Sequence, residues 1–93
     1  MSDLSFHVKQ FVPASKGSDL EHRISLLQLR DYAAAMRSRT ACEHALSLAA
    51  FAHDVAGDYV FADVPEPCLK LARNYCRAIL QAALAAESME ACA

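Results

Sequence analysis

From Leu69 to Ala86 the apolar positions Leu69, Ala72, Cys76, Ile79, Ala83 and Ala86 recur every three or four residues. That spacing is close to a heptad seam and belongs to a helix, not a strand. Half of the seam is alanine, which has little side chain to bury, so helices lined this way approach closely and gain little apolar burial from each contact. In a chain of 93 residues, which hides only about two thirds of its unfolded surface, the margin is thin and association with another chain is favoured. One domain, residues 1–93, with a mainly α fold and a homodimeric state, is the expectation.

The helix boundaries follow from caps and breakers. Residues 1–18 read as an extended arm and linker: "SFHVKQFV" (5–12) is rich in β-branched and aromatic residues, and "PASKGS" (13–18) is a connector. If extended, Phe6 and Val8 share one face of a short strand, which needs a partner strand either from Tyr59–Val64 or from a second subunit. Ser18-Asp19-Leu20-Glu21 is a capping box. After it, Leu20, Ile24, Leu27 and Ala34, widened by Leu26, Leu29, Ala33 and Met36, mark a first helical segment over 19–57. A kink or break is expected near Ser38, because Thr40-Ala41-Cys42-Glu43 resembles a second cap. Gly57 is the expected stop, as a residue able to turn left-handed. Residues 58–66 then connect to a last helix over 67–90, with Pro67 in its first turn. The expected architecture is a helical hairpin with an N-terminal arm.

Polar residues within "ACEHALSLAAFAHDVAG" (41–57) raise the question of chemistry. His44 and His53 are nine residues apart, about 180° around a helix, and face opposite ways. Cys42 and His53 share a face but lie roughly 16 Å apart along it. No pair in this segment chelates on its own, so a metal or thiol sensor needs Cys42, Cys68 and Cys76 to converge with His44 or His53 across helices. Nothing supplies an oxyanion hole, a phosphate loop or a nucleophile turn. No enzyme activity, cofactor or metal is expected.

Two other features point outward. Arg23, Arg30 and Arg37 recur every seven residues, a slowly drifting basic stripe about 20 Å long that can meet an acidic protein surface or phosphates. In "DYVFADV" the apolar run Tyr59, Val60 and Phe61 interrupts a connection, either closing the end of the hairpin or meeting a partner. Against nucleic acid stand a net charge of −2 and a 54–67 segment too long and proline-rich for a helix-turn-helix. No apolar run is long enough for a membrane span. The start lacks the pattern of a secretory signal, and the four cysteines form no CxxC pair, so a reducing cytoplasmic setting is expected.

The function expected is a non-enzymatic protein–protein interaction module that regulates or inhibits a larger partner. Anti-activators, immunity proteins, chaperones and phage inhibitors are the analogous classes. Partner contacts are assigned to Arg23, Arg30, Arg37, Tyr59, Val60 and Phe61. Dimer contacts are assigned to Phe6, Val8, Cys76, Ile79 and Ala83. A nucleic-acid regulator using the arginine stripe and a Cys/His sensor are the alternatives.

Overall fold

The computed structural model describes residues 18–92. These form three packed helices: α1, Ser18–Arg39; α2, Glu43–Val60; and α3, Glu66–Cys92. The two-helix hairpin is therefore corrected to a three-helix bundle, because the expected kink is a full break. There is no strand among the described residues. Residues 1–17, including Phe6 and Val8, lie outside them.

The break falls after Arg39, not at Ser38. The Ser38 hydroxyl donates to the Ala34 carbonyl at 3.2 Å, one turn back, and so stays inside the helix. Thr40 N–H still reaches Met36 O at 2.9 Å, and then the Cys42 amide donates to Thr40 Oγ1 at 3.3 Å. Cys42 itself is extended (φ −80°, ψ 115°), and its Sγ accepts from Ala45 N at 3.5 Å. The cap is thus Cys42, two residues later than the Thr40 motif suggests. A buried sulfur replaces the usual hydroxyl or carboxylate.

Gly57 does not end α2. It is helical, and the helix runs one further turn to Val60, which is fully buried. The expected strand partner Tyr59–Val64 is corrected with it: Tyr59 and Val60 are helical. Burial of Val60 outweighs the roughly 1 kcal/mol by which glycine disfavours a helix interior. A Cβ at Gly57 would meet only Arg30 Cδ, at an ordinary 3.8 Å. Gly57→Ala is therefore expected to raise stability by about 0.5–1 kcal/mol in chemical denaturation. A loss would mean that the turn needs glycine after all.

Polar contacts set the direction of each helix. His22 Nε2 donates to Glu66 Oε1 at 3.1 Å, and Arg23 Nη1 donates to the Val60 carbonyl at 3.1 Å. These bring the start of α1 beside the end of α2 and the start of α3. At the other end Met36, Cys42, Ala45, Ala49 and Ala83 cluster. The chain therefore runs up, down and up, in a bundle of 48 × 24 × 17 Å.

The core is graded along this axis. Leu26, Leu27, Val60, Leu69 and Cys76 fill the end where α1 and α3 begin. Ala33, Ala52, Ile79 and Leu80 form the middle. Small residues dominate the far end. On α2 the buried positions Ala45, Ala49, Ala52 and Ala56 repeat at four-three-four spacing, leaving its neighbours room to pack close. The α3 seam faces into this core: Cys76, Ile79 and Ala83 are buried within one chain. They contact α1 and α2, so they are not a free surface for a second copy of this fold.

Candidate functional site

The arginines do not form one stripe. Arg23 is 2% exposed, held by Asp19 Oδ2 at 3.1 Å from Nε and by the Val60 carbonyl. Arg30 is half-buried, with its stem beside Gly57 of α2. Arg37 is exposed and borders a shallow depression with Ala34, Ser38 and Leu46. Arg39 lies 5.8 Å from the Tyr32 ring centroid, a cation–π distance. A seven-residue repeat drifts around a straight helix, which carries Arg23 into the core and Arg37 out of it.

The aromatic run divides in the same way. Val60 is in the core, Phe61 is half-buried against the large-residue cluster, and Tyr59 is exposed. One turn of helix sends these three side chains in three directions.

The sulfur and imidazole groups stay apart. Among the described residues, no three His, Cys, Asp or Glu side chains are grouped so as to hold a metal ion. The Cys76 thiol is buried and donates to the Ala52 carbonyl at 3.7 Å. Loss of hydration raises its pKa to about 11, so it is protonated and unreactive at neutral pH. Cys42 is buried in the cap of α2, whereas Cys68 is an exposed thiol. His53 Nδ1 lies 3.9 Å from Asp54 Oδ1 at the surface of α2, an exposed pair of little energetic weight.

What the helices do bring together is an apolar groove between α2 and α3. Val55, Tyr59, Cys68, Leu71, Ala72 and Tyr75 line a cavity of about 460 Å³ that opens to solvent. Phe51 packs edge-on against Tyr75, with ring centroids 5.9 Å apart, and extends its wall. Leu71 is 70% exposed, Tyr75 53% and Phe51 47%. Such large side chains in one contiguous patch are the mark of an unfilled contact surface, whereas scattered exposed leucines are ordinary. Beyond the groove, Ala78, Ala82, Ala85 and Met89 are exposed on the same stripe of α3.

Leu71 and Tyr75 are the residues that sequence reasoning missed. A second three-four repeat, 71-75-78-82-85-89, was legible beside the buried 69-72-76-79-83-86 seam. A helix has one strongly buried face, and two adjacent apolar stripes differ by only about 100°. Only packing shows which stripe turns inward.

No convergent charges or amide cradle line the groove, so it suits apolar side chains better than a polar substrate. Comparison with family models, curated proteins and solved structures finds no match to this chain. Among the described residues no helix is long and apolar enough to cross a membrane.

Proposed function

We propose that this protein is a small, non-enzymatic, cytosolic protein-binding module that regulates or inhibits a larger partner, using the α2–α3 groove as its docking face. The observation that carries this reading is the contiguous exposure of Phe51, Tyr59, Leu71 and Tyr75 around one apolar cavity. Aromatic and leucine anchors on a rigid helical frame are the usual basis of a binding hot spot. The frame holds them in place, since Ala72 and Cys76 on the same helix are buried in the core. The partner segment is apolar and carries a cation, because exposed Asp54 and Asp58 flank Val55 and Tyr59 on α2. The free thiols Cys42, Cys68 and Cys76 suit a reducing compartment.

The arginine-stripe reading on nucleic acid loses support from the burial of Arg23 and the partial burial of Arg30. For the docking reading, Leu71→Asp is the test. The site is exposed, so the helical fold and its melting should change by no more than about 0.5 kcal/mol. Capture of a specific partner from native extract should fall by about tenfold or more, the effect of removing one hot-spot anchor. Undiminished capture of the same partner by Leu71→Asp would remove the groove as the binding face.

A further inference from the structure

The face that holds the groove is complementary in charge to itself. We infer that a second copy of this chain covers it when no other partner is bound, in a two-fold dimer with α2 of each copy lying on α3 of the other. The inference goes beyond the partner reading and needs no larger partner to exist.

The two edges of the face carry opposite charges. On α2, exposed Asp54 and Asp58 each stand about 100° from the groove residues Val55 and Tyr59, on the side away from buried Ala56 and Val60. On α3, exposed Lys70 stands about 100° from Leu71, on the side away from the groove residue Ala72, and exposed Arg77 follows it two turns later. Phe51, Tyr59, Leu71 and Tyr75 fill the strip between an acidic edge and a basic one. An apolar surface with a cation beside it is what Asp54 and Asp58 call for, and the α3 side of this same chain provides it.

The levels of these charges also match. The helices are antiparallel, and the Cys76 thiol meets the Ala52 carbonyl at 3.7 Å, which makes those two residues level. Counting six residues along each helix from there, Asp58 is level with Lys70. Asp54 is level with Asn74, about 4.5 Å along the axis from Arg77. A two-fold axis parallel to the helices preserves levels and exchanges the edges, so Asp58 of each copy meets Lys70 of the other. A two-fold axis across the helices would set α2 on α2 and acid on acid. The charge pattern therefore selects one of the two orientations.

The area suffices for a reversible contact. α2 has 18 residues and is about 27 Å long, and two helices side by side are about 20 Å wide. That is about 500 Å² in projection on each copy and about 1,000 Å² in the pair, at the lower bound for a specific interface. A larger partner can displace a second copy held this way.

Sedimentation equilibrium of the full chain from about 1 μM to about 1 mM is the test. The mass should rise from 10.1 kDa towards twice that value. Asp58→Lys and Lys70→Asp should each weaken the dimer by about tenfold, since each change occurs twice and sets like charges together. Combining them in one chain should restore the parent affinity, because the exchanged charges meet again across the two-fold axis. All four positions of this cycle should give the same helical circular dichroism, as both residues are exposed. A monomer at every concentration would overturn the inference. So would a dimer that either single variant leaves unchanged, which would lie on another surface, or a double variant that stays weak, which would rule out this orientation. A chain that is monomeric yet loses its captured partner through Leu71→Asp would separate the two readings, leaving the docking face in place and removing the dimer.

Discussion

Arg23→Ala should destabilise the bundle by about 3 kcal/mol, lowering the melting temperature by more than roughly 10 °C. The reason is the position of the guanidinium at the end of α2. That helix has no basic residue in its last turn, so its terminal carbonyls lack a cation from their own chain segment. Arg23, reaching across from α1, donates to the buried Val60 carbonyl and also holds Asp19. Removing it leaves a buried acceptor unpaired, opens a void and deprives a half-buried carboxylate of its partner. Arg23→Met separates these contributions. Methionine keeps much of the apolar stem, so it should recover part of the loss, with the remainder reporting the polar contacts. An Arg23→Ala protein that melts within a degree of the parent would show that water can replace the guanidinium there.

The second large effect concerns the small residues of α2. Ala49→Leu is expected to cost about 2 kcal/mol by overpacking, although leucine is nearly as good a helix former as alanine. Ala49 is fully buried in the cluster of Met36, Cys42, Ala45 and Ala83, and three added carbons have nowhere to go without moving α1 or α3. Ala82→Leu is the matched comparison. Ala82 is exposed on the outer stripe of α3, and the same change there should stay within about 0.5 kcal/mol. Denaturant titrations of the two variants measure the contrast directly. If Ala49→Leu were as stable as Ala82→Leu, the close approach of α2 to its neighbours would not be what the alanines provide.

These effects explain why the hairpin expectation failed where it did. The heptad-like repeat of the last helix and the Ser18–Glu21 motif at the start of α1 are local signals, and both correspond to helices in the structure. The break at Thr40–Cys42 was also signalled, but a cap-like motif inside an apolar repeat reads equally as a kink. Its outcome depends on whether α2 can fold back and bury Ala45, Ala49, Ala52 and Ala56. Gly57 was misread for a related reason. Glycine permits a left-handed turn without requiring one, and burial of Val60 together with the cross-helix contact from Arg23 carried α2 past it.

The candidate site was less legible than the fold. Arg23, Arg30 and Arg37 share a sequence interval but not an environment, and Tyr59, Val60 and Phe61 are neighbours in sequence that end in groove, core and flank. Leu71 and Tyr75 carry the same periodic signal as the buried seam. Periodicity reports the angle between side chains on one helix and leaves open where a neighbouring helix lies.

Local composition alone therefore determined that this chain makes helices, where the first and last of them begin, and that alanine would line their contacts. Capping, backbone propensity and three-four spacing act within a few residues and need no distant partner. Tertiary packing decided the number of helices, which of two stripes on α3 turned inward, that Arg23 became a structural cation, and that an apolar groove was left open. Each of those outcomes depends on volume and hydrogen-bond partners supplied by residues tens of positions away, such as Val60 for Arg23 and Glu66 for His22.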